Sequence, residues 1–188
     1  MKNTVKSAMI LVLAITFASF STLKTKKVDV KESQVNWTGH KVTGQHDGTI
    51  TLKEGTLEFN GQTLTGGAFT MDMTSINTTD LEGESKTKLD GHLKADDFFG
   101  TDKFPTATLK FTKVEALGSD YAVTGDLTIK GITKPVTFKM NVTEDTAKAA
   151  LKIDRTLYDI KYGSASFFDN LQDKAIYNEF DINVSLKF

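Results

Sequence analysis

The sequence predicts an all-β fold: one antiparallel sheet that curls into a barrel or folds into a sandwich. Three observations predict it. Apolar and polar residues alternate along many short runs, glycine-containing turn signals punctuate them, and a single stretch, Thr79 to Phe99, carries helical spacing. A period of two puts one set of side chains inward and the other in water, the mark of an antiparallel sheet wet on one side. Eight or nine such runs with a single apolar face must curl or close to bury it.

The chain opens on a leader pattern. Lys2 and Lys6 precede an apolar run from Ala8 to Ala18, broken only by Thr16, and the small residues Ser19 and Ser21 follow. A basic start, a short apolar core and a small-residue exit describe a secretory signal. The run is shorter than the ~20 residues that span a bilayer. Residues 1–21 are therefore read as a removable signal and residues 22–188 as one domain, periplasmic or secreted. The 188 residues hold 23 basic and 24 acidic side chains; losing Lys2 and Lys6 leaves 21 and 24, a net charge of −3. That balance argues against a nucleic-acid partner, which requires a basic excess. The absence of cysteine excludes disulfides, thiolate metal sites and a thiol nucleophile.

The strands follow in order. Leu57 and Phe59 alternate with Thr56, Glu58 and Asn60, then Phe69, Met71 and Met73 with Thr70 and Asp72. Leu109 and Phe111 come next, then Tyr121, Val123, Leu127 and Ile129 on one parity, and Val136, Phe138, Met140 and Val142 after them. Leu151 with Ile153 precedes the cleanest run, Phe180 to Phe188. Turns are expected at Lys53-Glu54-Gly55, Asn60-Gly61, Gly66-Gly67, Gly118-Ser119-Asp120 and Lys130-Gly131. Between Thr79 and Phe99, Thr79 or Asp80 is positioned to cap a helix, acids fall early, and Leu89 and Leu93 share a face. Gly83 and Gly91 predict that it is short or broken. Arg155 to Tyr177 reads as a long connection with Tyr158, Tyr162, Phe167, Phe168 and Tyr177, unusually aromatic for a solvated loop.

Chemistry-bearing patterns are sparse. His40, His46 and Asp47 share one segment, and equal parity would set both histidines on one side of a strand. A metal site needs three or four converging ligands, so this set supports a metal-dependent enzyme only as a lesser alternative. No G-x-S-x-G occurs, and a β-meander offers no phosphate-cradling strand-to-helix turn. No catalytic residue, metal or cofactor is expected. What remains is the inward face. Phe59, Phe69, Met71, Met73 and Leu109, with Phe111, Phe138, Met140 and Phe180, would line a closed barrel. A barrel of about eight strands either fills with side chains or holds one small ligand, and alternation alone leaves both open.

Three motifs in order resemble the YceI-like family. They are Gly91-His92-Leu93-Lys94-Ala95-Asp96-Asp97-Phe98-Phe99 followed by Lys103-Phe104-Pro105-Thr106-Ala107-Thr108, then Gly125-Asp126-Leu127-Thr128-Ile129-Lys130-Gly131-Ile132-Thr133-Lys134-Pro135-Val136, then Ile153-Asp154-Arg155-Thr156. The resemblance runs from about Val28 to Phe188. It implies a lipocalin-like antiparallel β-barrel of about eight strands, with a short helical element at the mouth, that holds an apolar, polyisoprenoid lipid without catalysis. Trp37 joins the lumen candidates as the tryptophan of a divergent first strand, where Glu32-Ser33 replaces the family's His-Ser pair. A polar head group would sit at the mouth, where His92, Lys94, Phe98, Phe99 and Arg155 are candidates; Asp154 beside Arg155 favours a structural role for that arginine. The rival reading is a filled barrel, a stress-related or scaffold protein without ligand. The partner expected is an apolar lipid, and a homodimer stays open.

Overall fold

The structure is a computed structural model and describes residues 22–188. The expected secretory signal lies outside them. Nine strands form one antiparallel sheet: β1 (Leu23–Lys27), β2 (Gln34–Lys41), β3 (Gly44–Asn60), β4 (Thr63–Thr78), β5 (Thr106–Leu117), β6 (Asp120–Ile129), β7 (Ile132–Val142), β8 (Thr146–Asp154) and β9 (Ile176–Lys187). Eight of them close into a barrel, in the order β3, β2, β9, β8, β7, β6, β5, β4 and back to β3. The extra strand, β1, pairs with the stretch of β3 that lies beyond β2 (Lys27 opposite Thr56, Leu23 opposite Asn60). Closure removes the edges of these eight strands, leaving an open one only on β1, and turns their inward side chains toward the barrel interior.

The chain runs up and down, so its connections fall at two ends. The β3–β4, β5–β6 and β7–β8 hairpins make the floor, and the helix α1 (Gly83–Lys94) with the β8–β9 connection covers the other end. The turn at Lys130-Gly131 carries positive φ at both residues (51° and 73°), the backbone a tight hairpin between right-twisted strands requires. Gly61 and Gly118 also adopt positive φ in the other two predicted hairpins.

Two expected turns are not turns. β3 runs straight through Lys53-Glu54-Gly55 and β4 through Gly66-Gly67. Their glycines serve close packing instead: a Cβ on Gly55 would stand 2.8 Å from the Phe69 ring, and one on Gly67 2.9 Å from the Phe111 ring. The β3–β4 register also slips between Leu52 and Glu54. That bulge switches parity, so Leu52 and Leu57 are both buried although an odd number of positions separates them.

The helix is short, as expected, but its cap is not the predicted one. Glu82 stands at the N-cap with no side-chain hydrogen bond. Asp80 accepts from His46 Nδ1 (2.9 Å) and from the Asp47 amide (3.1 Å), and the Thr79 amide donates to the Asp47 carbonyl (2.9 Å). Both residues therefore tie the end of β4 to β3. The helix is pinned one turn further on: Lys86 donates to Asn77 Oδ1 (2.6 Å) and Asp90 (3.0 Å), while Asp90 accepts the Thr78 amide (2.8 Å). Leu93 is its one buried residue, and it lines the barrel cavity.

Candidate functional site

The barrel encloses a cavity of about 180 Å³ whose wall is almost wholly aliphatic and aromatic. Along β9 its lining runs from Ile176 through Phe180, Ile182 and Val184 to Leu186. Ten residue steps at ~3.3 Å correspond to about 33 Å of strand, and a strand tilt of ~40° shortens that to roughly 25 Å along the axis. A cavity of that volume drawn over that length is a narrow bore, the shape of one extended chain rather than of a compact ring system.

Nine of the ten residues predicted to face the lumen line it: Trp37, Phe69, Met71, Met73, Leu109, Phe111, Phe138, Met140 and Phe180. Phe59 does not. It is buried in the floor, where its ring meets Phe188 at 5.9 Å and Lys26 at 5.3 Å, so the bore stops above it. The Trp37 indole lies across β3, donating to the Thr49 carbonyl (3.2 Å), and has room only because position 48 is glycine: a Cβ there would stand 2.3 Å from the ring.

Sequence reasoning favoured aromatic and methionine side chains and passed over equally inward aliphatic ones. Val35, Ile50, Ile76, Leu127, Ile153 and Ile182 also line the bore. The signal was present, since Ile182 shares the parity of Phe180 in the last run.

At the mouth the predicted set divides. Phe98, Phe99 and Arg155 line the cavity, and His92 and Lys94 do not. The two phenylalanines meet edge to face at 5.2 Å under α1. His92 packs beside that wall, its ring 4.3 Å from Tyr162 and 5.3 Å from Phe98, with Nε2 buried and without a hydrogen-bond partner among the described residues. Lys94 holds the helix end, its carbonyl accepting the Thr101 amide (3.0 Å).

Arg155 is 2% exposed and stands over the Phe98 ring at 5.6 Å. Its guanidinium donates from Nε to the Tyr177 carbonyl (3.0 Å), from Nη1 to Ile160 (2.7 Å) and from Nη2 to Ile176 (3.1 Å). Burial pulls its pKa below the ordinary value, and the nearby Asp154 charge opposes that. Asp154 itself accepts from the Thr156 amide (2.9 Å) and hydroxyl (2.6 Å), capping the turn Arg155–Tyr158. Arg155 thus ties the long connection to the start of β9. The same connection holds Tyr158, whose buried hydroxyl has no hydrogen-bond partner among the described residues; burial, with the Asp154 charge, pushes its pKa up to about 12.

The histidine–aspartate set does not assemble. His40 lies on β2 and His46 on β3, on either side of a hairpin rather than along one strand. His40 Nε2 meets Asp181 at 2.7 Å, His46 Nδ1 meets Asp80 at 2.9 Å, and Asp47 takes the Thr38 hydroxyl (2.6 Å). Among the described residues no three metal-ligating side chains converge.

The profile of the YceI-like domain matches residues 27–188 of this chain. The chain belongs to the YceI-like family. Among curated relatives, Protein YceI of Escherichia coli O6:H1 is 45% identical over 65 residues, 35% of this chain and 34% of that protein. A UPF0312 protein of Pseudomonas aeruginosa is 39% identical over 82 residues, 39% of this chain and 42% of that protein. The matched stretch spans about a third of the length of the first of these relatives and less than half of the second. Solved structures share the barrel fold. BcnA of Burkholderia cenocepacia superposes with a TM-score of 0.70 at 22% identity, covering 85% of this chain and 98% of its own. A polyisoprenoid binding domain from Saccharophagus degradans gives 0.61 at 17% identity, covering 88% and 97%. The YceI protein of Campylobacter jejuni gives 0.52 at 19% identity, covering 100% and 96%.

Proposed function

We propose that this protein is an exported, non-catalytic carrier of an apolar, isoprenoid-like lipid held extended in the barrel. The observation that carries the reading is the bore itself: a narrow, apolar cavity that runs along most of β9, with the polar lining residues His40, Arg155 and Glu179 near the α1 end. A hydrocarbon offers no hydrogen bonds, so such a wall recognises length and thickness alone. Membership of the YceI-like family and the likeness of the barrel to the Saccharophagus domain support a polyisoprenoid as cargo. The leader pattern of residues 1–21 supports export. Binding rather than catalysis is supported by where the mouth groups are engaged: Arg155 on three carbonyls and His40 on Asp181.

The filled-barrel alternative requires a collapsed lumen, and the cavity argues against it. Trp37, the one tryptophan, lines the bore and reports its occupancy. Titrating the protein with prenyl alcohols of increasing length should change Trp37 fluorescence. Each added unit should strengthen binding by tenfold or more until the bore is full, since a buried CH₂ contributes about 0.8 kcal/mol. Affinity independent of chain length would overturn the carrier reading.

A further inference from the structure

We propose that the α1 end of the barrel docks onto the surface of a phospholipid bilayer, so that cargo passes between membrane and bore without crossing water. The proposal rests on the carrier reading but is carried by a different observation. Eight large apolar residues are exposed among the described residues, and six of them (Val42, Leu157, Tyr162, Phe167, Phe168 and Tyr177) lie at this one end. The other two, Leu23 and Leu117, are at the floor.

These side chains are held outward by ordered backbone. The Phe167 and Phe168 amides both donate to the Ser164 carbonyl at 3.0 Å, and the Ile176 amide closes the loop on the Gly163 carbonyl at 2.8 Å. The Val42 amide donates to the Ala175 carbonyl at 3.1 Å, which joins the β2–β3 hairpin to the same rim. Tyr177 both lines the cavity and is 55% exposed, so the rim and the mouth are continuous.

Area and charge identify the occupant. Roughly half of six such side chains, at ~200 Å² each, is about 600 Å² of exposed apolar surface, the upper end for a monomer and the size that marks an interaction site. A stable dimer buries about 800 Å² per partner, so a second copy is poorly matched. The segments that carry the six side chains, 41–42 and 157–177, hold three cations (Lys41, Lys161, Lys174) against three anions (Asp159, Asp169, Asp173), and residues 80–104 around α1 add seven acids to four lysines. That charge gives no pull toward an anionic polymer or an anionic headgroup and leaves the neutral headgroups of a zwitterionic bilayer as the matching surface. Tyrosine and phenylalanine are at home there, with an apolar body in the acyl boundary.

The test uses protein purified from its own host, with a reporter tryptophan at either end, each on a W37F background so that the emission reports that end alone: F168W at the rim and L117W at the floor. Vesicles of phosphatidylcholine without prenyl lipid should shift the F168W emission to the blue, leave L117W unchanged, and act equally at low and high salt. The double variant F167S/F168S should bind vesicles at least tenfold more weakly while binding a solubilised prenyl alcohol, read on Trp37, as the parent does. Failure of F168W to shift and of the unsubstituted protein to co-sediment with the vesicles overturns docking while leaving the carrier reading standing if prenyl alcohol still binds. A shift of L117W alone, or an F168W shift that follows protein concentration without vesicles, overturns it in favour of the floor or of a second copy.

Discussion

Arg155 lines the cavity while three of its donors are spent on backbone carbonyls of the β8–β9 connection and β9. Removing it strands buried carbonyls, each a costly loss. R155M should lower stability by roughly 3 kcal/mol, and R155K should recover less than half, because an ammonium lacks the guanidinium fork. Urea unfolding midpoints check both. Tyr158 is the opposite case. Its hydroxyl is buried without a partner among the described residues, so Y158F should leave stability unchanged or raise it by up to about 1 kcal/mol. A clear loss in the same urea measurement would mean that the hydroxyl has a bound water to hold.

At the scale of the element, the strands are held by close approach as much as by pairing. Gly48 lets β3 pass under the Trp37 indole and against the Asn77 carbonyl, which would stand 2.2 Å from an added Cβ. G48A should therefore cost more than ~2 kcal/mol, far above the usual strand-propensity difference of ~1 kcal/mol. Beside it, Asp181 on β9 ties β8 and β2 together: Lys152 donates at 2.7 Å and His40 meets the other oxygen at 2.7 Å. These bonds hold its carboxyl below the usual range, the lysine contributing most, and the Thr74 hydroxyl does the same for Asp72. A depressed carboxylate adds stability above its unfolded value and loses it as pH falls through the native one. Thermal midpoints should therefore drop below about pH 4, and D181N should make that acid limb shallower.

The alternating runs, the three true hairpins and the short helix were legible because period and turn chemistry are local properties. The two false turns were not: Gly55 and Gly67 read as punctuation, but their role is set by Phe69 and Phe111, far off in sequence. Alternation breaks where the bulge near Leu52 slips the register, and Phe59 was placed in the bore although it seals the floor. The mouth was half legible. The motif pointed to Phe98, Phe99 and Arg155, but which face of α1 His92 and Lys94 occupy depends on how Lys86 and Asp90 pin the helix.

For the whole molecule, closure is what makes the cavity. Eight strands bury their apolar faces against one another without cysteine, and the side chains stop short of filling the space along the axis. Filling it should separate folding from function. A107W, in the wall of the bore, should block prenyl-alcohol binding measured by mass while leaving the far-ultraviolet circular dichroism of a β-barrel intact. The central claim is that the bore carries a lipid in the cell. Native mass spectrometry of the protein purified from its own host tests it most directly. The account predicts a barrel bearing one apolar lipid per chain, exchangeable for an added prenyl alcohol; a bare chain that takes up no prenyl alcohol would contradict it.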